Sequence, residues 1–226
     1  RRIHYSFVLS ILYLTFSFGQ NSTTYKVNTI AFYNLENLFD TENDPITFDD
    51  DRTPDGKDHW TKEIYQDKLK NMARVIAEIG ADVSGTTPAI IGVCEVENRT
   101  VLEDLVNQKP LIKKEYGIIQ FNSPDRRGID VALLYKKKIF TPISYKAKEL
   151  LIYDDNDKSK RVFTRDQLIV SGMLDGEKIH LIVNHWPSRR GGEKRSRSKR
   201  IKAAKLNRQI IDSLFSEDPY AKIIIM

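Results

Sequence analysis

The stretch AIIGVCEVEN at residues 89–98 decides the fold class of this chain. Residues 89–96 form a short continuous apolar run, which is typical of a strand that is buried on both faces. One carboxylate, Glu95, stands near the end of that run. A buried carboxylate is costly unless it is paired or bound to a cation. The stretch therefore predicts a core strand that carries a functional acid at its carboxyl end.

The segments on either side of this run carry strand and helix patterns, and Asp175-Gly176 is a favourable hairpin turn. Apolar residues at helical spacing predict two long helices, and Gly80 can end the first. Successive hairpins with few helices favour a two-layer or sandwich architecture of the α/β or α+β class over alternating βαβ units. The predicted strands are residues 27–35, 89–96, 117–121, 129–135, 143–153, 162–174, 178–186 and 221–226, and the predicted helices are residues 61–79, 98–107 and 193–215.

Composition places the chain among soluble globular proteins. Hydrophobic residues make up 40% and charged residues 30% of the 226 positions, which excludes a disordered chain. The net charge of +5 favours an anionic partner, such as nucleic acid or an anionic lipid surface. Cys94 is the single cysteine, so no internal disulfide is possible. We interpret Cys94 as a buried small hydrophobe, with a nucleophile beside a histidine base as the alternative.

Residues 1–19 are interpreted as a signal peptide. Arg1 and Arg2 form a positive start, residues 3–18 are mostly apolar, and a small residue, Gly19, precedes Gln20. The alternatives are a membrane anchor helix and a buried strand. On the signal-peptide interpretation the protein is secreted or periplasmic and has no stable membrane insertion after processing.

Polar residues that are able to bind a metal or take part in a reaction stand at the ends of the predicted strands. Asn34 and Glu36 end the first, and Glu95 ends the central run. Carboxylate and amide oxygens suit Mg²⁺ or Mn²⁺. His185 ends a later strand, and Arg165 is predicted to lie within another. The alternatives are a solvated strand-end acid, a structural histidine and a salt bridge between Arg165 and its neighbour in sequence.

The order of these motifs resembles the endonuclease/exonuclease/phosphatase superfamily, which includes pancreatic DNase, exonuclease III and sphingomyelinases. The resemblance runs over residues 27–226 and is strongest to secreted bacterial endonucleases. The motifs that carry it are Asn34-x-Glu36, the run ending at Glu95, GIDVALLY at 128–135, Arg165-Asp166 and VNHW at 183–186.

The resemblance implies a four-layer sandwich of two mixed sheets with helices outside. It also implies roles for single residues. Glu95 matches the principal metal ligand, and Glu36 stands where some relatives have a second metal-side residue. Asn34 matches an asparagine near the metal and the attacked phosphate, and His185 matches a catalytic histidine.

Two further residues receive roles from the resemblance, and a third receives one from the chemistry of its side chain. Asp130 is the candidate for the acid that orients His185. Arg165 resembles an arginine that reaches the substrate phosphate, and we expect Arg189 to assist it, since guanidinium groups suit phosphate.

The family pattern continues beyond what this sequence contains. Gly-Asp-x-Asn, a later Asp and a terminal Ser-Asp-His are missing after the apolar run at 221–226. We therefore expect residues 20–226 to be the N-terminal two-thirds of the family's domain, inactive as a fragment. Ser188 replaces an Asn of exonuclease III relatives, which disfavours the abasic-site repair branch.

Two charged segments admit more than one interpretation. The basic stretch 189–208 is either a solvated helix face or a contact to the phosphate backbone, and no aromatic residues alternate with its charges to form a base-stacking surface. Residues 51–56 resemble the start of a calcium loop, but Lys62 stands where its bidentate glutamate belongs. A solvated loop is favoured over Ca²⁺ binding there.

Together these observations predict a monomeric, metal-dependent endonuclease that acts on nucleic acid. A phospholipid or small-molecule phosphodiesterase or phosphatase on the same fold is the first alternative. A noncatalytic domain that binds nucleic acid or a surface is the second.

We expect residues 1–19 to be removed on export, because their pattern fits the export signal peptidase. Mass spectrometry of the exported protein should find Gln20, cyclised to pyroglutamate, at the N-terminus. Retention of the apolar segment in the mature protein would contradict the signal-peptide interpretation.

Overall fold

The computed structural model of the chain describes residues 25–226. The predicted signal segment at residues 1–19 lies outside the described residues. Over the described span, no helix combines the length and apolar character that crossing a bilayer requires.

Ten strands and four α-helices form the described part of the chain. The strands are β1 (Ile30–Leu38), β2 (Ile90–Val96), β3 (Tyr116–Gln120), β4 (Asp130–Lys136), β5 (Phe140–Lys148), β6 (Ile152–Tyr153), β7 (Arg161–Val162), β8 (Gln167–Leu174), β9 (Glu177–Val183) and β10 (Lys222–Ile225). The helices are α1 (Lys62–Glu78), α2 (Ala81–Ser84), α3 (Arg99–Val106) and α4 (Glu193–Glu217), and two short 3₁₀ turns cover Asp50–Arg52 and Ile112–Lys114.

Two mixed sheets of four strands each organise the fold. In the first sheet the order is β1-β2-β4-β3, and only the β1–β2 pair is parallel. In the second sheet the order is β10-β9-β8-β5, and only the β10–β9 pair is parallel. The strands β6 and β7 form a separate small ribbon.

Three apolar cores separate four layers. The first core packs α1 and α3 on the outer face of the first sheet, with Leu69 and Leu102 against Ile91. The second lies between the sheets, where Leu133 and Phe140 are fully buried. The third packs α4 on the outer face of the second sheet. This arrangement confirms the predicted four-layer α/β sandwich of two mixed sheets with helices outside.

Local sequence explains several boundaries. The Thr61 hydroxyl accepts a hydrogen bond from the backbone N–H of Ile64 at the start of α1, and Gly80 adopts a left-handed conformation just after its end. Asp175 and Gly176 both have positive φ, which matches the two-residue turn that fits the twist of a hairpin. The hairpin predicted there is confirmed.

Two predicted strands are interrupted in the structure. Residues 143–153 divide between β5 and β6, and residues 162–174 divide between β7 and β8. Arg165 lies in the break between β7 and β8, so its predicted position on a strand is wrong. Beside it, the Asp166 carboxylate accepts a hydrogen bond from the N–H of Leu150, which lies in the break between β5 and β6.

The buried face of α4 is set by a polar pair as well as by apolar residues. The side-chain amides of Asn184 and Asn207 hydrogen-bond each other at 2.9 and 3.3 Å, and both residues are buried. Ala203, Leu206 and Ile210 lie on that same face. The helix therefore packs directly on the segment that follows β9, where His185 lies.

Within the second sheet, the ring of Phe140 on β5 lies close to Gly172 on the neighbouring strand β8. A Cβ atom added there would lie 2.4 Å from the Phe140 ring and 2.7 Å from the carbonyl oxygen of Thr141. We expect Gly172→Ala to lower the free energy of unfolding by about 1–3 kcal/mol, because overpacking a filled core forces side chains to shift. Urea denaturation measures the change.

The control for this expectation is the Phe140→Leu background. A smaller side chain removes the contact with the ring but not the one with the Thr141 carbonyl, so the cost of Gly172→Ala should shrink without vanishing when both changes are combined. An equal cost in both backgrounds would mean that the close approach to Phe140 is not its cause.

Candidate active site

The two parallel strands of the first sheet end in strained, bulged segments. The register of the β1–β2 pair shifts after Asn34, and that of the β2–β4 pair shifts after Cys94. Glu36, Asn37 and Glu95 all have φ between 49° and 57°. Left-handed backbone at such residues costs about 1–3 kcal/mol each and persists only where the surroundings fix it. The bulges place polar side chains at the end of the sheet.

Hydrogen bonds hold the two bulges together. The Asn37 N–H donates to Oε2 of Glu95 at 3.1 Å, and the Glu36 N–H donates to Oδ1 of Asn34 at 2.7 Å. The ammonium group of Lys68 on α1 donates to the carbonyl oxygens of Glu36 and Asn37. The strained backbone is therefore fixed from both sides.

A further acid, Glu97, which the sequence analysis missed, links the ends of β1 and β2 just past the bulges. Glu97 is buried, its N–H donates to the Leu38 carbonyl at 3.1 Å, and its carboxylate accepts from the Asp40 N–H at 2.7 Å. Burial raises the pKa of Glu97 to about 8, and the nearby Asp40, Asp49 and Asp44 charges add to the rise. Glu97 ties the two strands together just past the site.

His185 lies two residues past β9 and faces Glu95 from the second sheet. Its Nε2 is 3.3 Å from Oε1 of Glu95, and both side chains are mostly buried. Burial lowers the pKa of His185 to about 4, with a contribution from the charge of Arg165 that outweighs the opposing effect of Glu95. The imidazole is therefore neutral at neutral pH, and its Nε2 edge lies next to the Glu95 carboxylate.

The guanidinium group of Arg165 is buried and is bound by groups of the protein itself, so it is not a free phosphate ligand. Its Nη1 donates to Asp125 at 2.9 Å, and its Nη2 donates to the carbonyl oxygens of His185 at 2.7 Å and Trp186 at 3.0 Å. The side chains of Arg165 and Asp125 are each 7% exposed. The salt bridge to Asp166 that the sequence offered as an alternative is not formed, because the guanidinium turns inward to Asp125.

Asp125 is the second residue that sequence reasoning missed. Burial alone would raise its pKa, but hydrogen bonds from Arg127 and Arg165 outweigh that effect and hold the pKa of this carboxyl below its usual range. The only sequence signal was the acid in SPDRRGID at 123–130, just before β4. Nothing in that segment points to a partner 40 residues away.

Asp130 does not hold His185 in this structure. Its carboxylate accepts hydrogen bonds from the Ser123 N–H at 2.7 Å, the Ser123 hydroxyl at 2.5 Å and the Gln120 amide at 2.6 Å. Burial raises the pKa of Asp130 to about 6 against the effect of these donors. Within residues 25–226, Nδ1 of His185 is buried without a hydrogen-bond partner. The predicted orienting contact is therefore replaced by the contact with Glu95.

The remaining predicted residues divide into two groups. Asn34 pairs in register with Cys94, so it lies beside the bulge that carries Glu95. Glu36 is exposed and lines a shallow depression with Trp60 and Lys68. Arg189 is also exposed. The structure thus places His185 against Glu95 and Asn34 beside the bulge that carries Glu95, while Glu36 contacts Asn34 through its backbone N–H and its side chain is exposed.

The side chains at this site carry the type of ligand atom, oxygen, that a hard divalent cation prefers. Glu95 supplies a carboxylate and Asn34 an amide oxygen, and Mg²⁺ needs only one or two carboxylates because it keeps several waters and binds substrate phosphates. Within residues 25–226, no three His, Cys, Asp or Glu side chains are arranged to hold a metal by themselves. The neighbouring Cys94 is not a ligand of this kind, since burial raises the pKa of its thiol to about 12. Its predicted role as a buried apolar side chain is confirmed.

A family model described as the endonuclease/exonuclease/phosphatase family matches residues 29–226. The chain therefore belongs to that family, as the ordered motifs predicted. No curated protein matches the sequence.

Solved structures similar to this chain include TDP2 from Caenorhabditis elegans, with 19% identity, a TM-score of 0.49, and coverage of 74% of this chain and 43% of that one. The human Nocturnin catalytic domain with bound sulfate has 16% identity, a TM-score of 0.44, and coverage of 70% and 55%. An endonuclease/exonuclease/phosphatase from Bacteroides vulgatus has 19% identity, a TM-score of 0.45, and coverage of 80% and 59%. The chain matches about half the length of these structures.

We expect Arg165→Met to destabilise the protein by about 3 kcal/mol or more, because it removes the buried cationic partner of the Asp125 carboxylate and the side-chain donor to the carbonyl groups of His185 and Trp186. Thermal and urea denaturation measure the loss. The matched control is Arg127→Ala, which removes a half-exposed partner of the same carboxylate and should cost less than about 1 kcal/mol. Equal effects of the two variants would contradict the central position given to Arg165.

Proposed function

We propose that this protein is an exported phosphodiesterase that hydrolyses nucleic acid with a divalent cation. The observation that carries the proposal is the pairing of a neutral His185 with Glu95 at 3.3 Å, at the bulged end of two parallel strands. Membership of the endonuclease/exonuclease/phosphatase family supports it. Export rests on the predicted signal segment, and we propose that the protein acts as a monomer.

Glu95 and Asn34 are the residues that would hold the cation. When it is bound, Mg²⁺ or Mn²⁺ supplies positive charge that stabilises the negative charge developing on phosphate oxygens. Glu95 is suited to this position because the Asn37 N–H fixes one of its oxygens and the other faces His185. The carboxylate is therefore oriented before substrate arrives.

His185 contributes a directed hydrogen-bond donor. Its pKa of about 4 keeps the imidazole uncharged at neutral pH, so it does not neutralise Glu95. The Nε2–H group can donate to a phosphate oxygen or to the leaving oxygen when substrate enters beside Glu95. Arg165 positions this donor by binding the His185 carbonyl, and it acts on the reaction through His185.

Nucleic acid is the preferred substrate class because the surface beside His185 is basic. The segment after His185 leads through Arg189 and Arg190 into the positively charged start of α4. Phosphate groups of a polynucleotide bind such surfaces with little regard to base sequence.

We expect Glu95→Gln in the full-length protein to weaken Mg²⁺ or Mn²⁺ binding, because a carboxamide keeps the shape of the side chain but loses the charge that holds a hard cation. A higher metal concentration should restore part of the activity. Calorimetric metal titration and single-turnover cleavage of duplex DNA measure both effects.

His185→Ala separates the role of the imidazole from that of the metal. We expect turnover to fall by roughly 10²-fold or more, the scale of positioned acid–base or hydrogen-bond catalysis, while metal affinity changes little. Full activity of His185→Ala, or unchanged metal binding by Glu95→Gln, would refute the proposed site.

A further inference from the structure

A cavity of about 330 Å³ lies beside the candidate active site, and we call it the basic cavity. It begins at Pro187, two residues past His185, and reaches the first turns of α4. Its polar and aromatic lining comes from three separate segments of the chain: Asp125, Arg126 and Arg127; Phe163, Thr164 and Arg165; and Ser188, Arg190, Ser196 and Lys199.

The charge of the basic cavity favours an anion. Five cationic side chains line it (Arg126, Arg127, Arg165, Arg190 and Lys199), against the single carboxylate of Asp125. That carboxylate is already bound by Arg127 and Arg165. Within the described span, Arg126, Arg190 and Lys199 form no salt bridge. Three cations therefore remain available to a ligand.

The wall of the basic cavity also holds polar atoms that lack partners. Thr164 is 4% exposed, and within residues 25–226 its hydroxyl makes no hydrogen bond. The Nε of Arg165 is likewise buried without a partner there. Both atoms are closed to solvent, so it is the charge of the lining, and not these two atoms, that favours an anion in the cavity.

Phe163 orders the arginines at one side of the basic cavity. The guanidinium carbon of Arg161 lies 4.8 Å and that of Arg126 lies 5.9 Å from the centre of its ring. Cation–π contacts limit the freedom of both side chains. Because these arginines already contact the ring, we assign Phe163 to positioning them and not to stacking a base.

The basic cavity is separate from the reacting groups. Its lining includes Arg165 and Pro187 but none of Asn34, Glu95 and His185. An anion held there is therefore distinct from a phosphate held at Glu95. A polynucleotide supplies such a second anion, because every nucleotide carries a phosphate.

We propose that the basic cavity binds the phosphate group adjacent to the scissile one in a nucleic acid substrate. This inference rests on the proposed function. It adds the requirement that an efficient substrate carries a second phosphate group next to the one that is cleaved. The bound group is either an internal phosphodiester or a terminal phosphate monoester, which share the same oxyanion chemistry.

The kinetic test compares two substrates of the full-length protein. Bis(4-nitrophenyl) phosphate has one phosphate, and a single-stranded hexanucleotide has several. We expect the double variant Arg190→Ala, Lys199→Ala to lower the ratio of kcat/KM for the hexanucleotide to that for the small diester by about tenfold or more, since charge-assisted contacts to phosphate are lost. The matched control is Lys205→Ala, an exposed position of α4 outside the cavity, which should leave the ratio unchanged.

Binding gives a second readout that does not need hydrolysis. We expect the dissociation constant of the labelled hexanucleotide, measured in EDTA, to rise about tenfold in the double variant. The slope of its logarithm against the logarithm of salt concentration should fall by about 0.7, the value for one lost contact to single-stranded phosphate. Melting temperatures of all variants check that the fold is intact.

Modified oligonucleotides distinguish the two sources of the phosphate. If an internal phosphodiester occupies the basic cavity, a methylphosphonate next to the cleaved bond should remove the difference between wild type and double variant. If a terminal monoester occupies it, removal of the terminal phosphate should do so.

Several results would overturn the proposal. One is an equal loss on both substrates, which would mean that the cavity serves the scissile phosphate. Another is an effect no larger than that of Lys205→Ala, and a third is a difference that no phosphate modification removes. Wild-type protein that cleaves neither substrate would refute the proposed function. The binding measurements would still test whether the basic cavity binds a phosphate group.

Discussion

The buried guanidinium of Arg165 is the interaction on which the candidate site depends. It binds Asp125, which precedes β4 of the first sheet, and the carbonyls of His185 and Trp186, which follow β9 of the second. One planar group with fixed donors thereby joins two loops from different sheets. Because the site uses Glu95 from one sheet and His185 from the other, its geometry requires this connection.

Backbone strain is the second constraint on the site. Three residues at the ends of β1 and β2, Glu36, Asn37 and Glu95, adopt conformations that most side chains avoid. Their combined cost is borne because the Asn37 N–H binds the Glu95 carboxylate and Lys68 binds the bulged backbone. Strain of this type is concentrated at functional positions, where it orients a side chain in advance of its ligand.

The elements that the sequence predicted correctly are those whose patterns lie within a short segment. The apolar run that ends at Glu95 became β2, and the Asp175-Gly176 turn became the hairpin between β8 and β9. The prediction failed where a contact joins distant segments. Arg165 looked like a strand residue because its neighbours have strand character, but its ion pair with Asp125 spans 40 positions and takes it out of the ladder. Asp130 was assigned to His185, yet its own loop supplies its three donors.

The sequence by itself determined a layered α/β or α+β architecture, and the resemblance of its ordered motifs to the family implied the four layers and singled out Asn34, Glu95 and His185. Hydrophobic periodicity and motifs are both properties of short segments, so a linear sequence contains them. Only the tertiary structure decided which polar groups meet. It paired His185 with Glu95, bound the Arg165 side chain inside the protein, and assembled the basic cavity from four segments. The physical reason is that burial and side-chain hydrogen bonds arise from packing between layers, and a linear pattern of residues does not contain those distances.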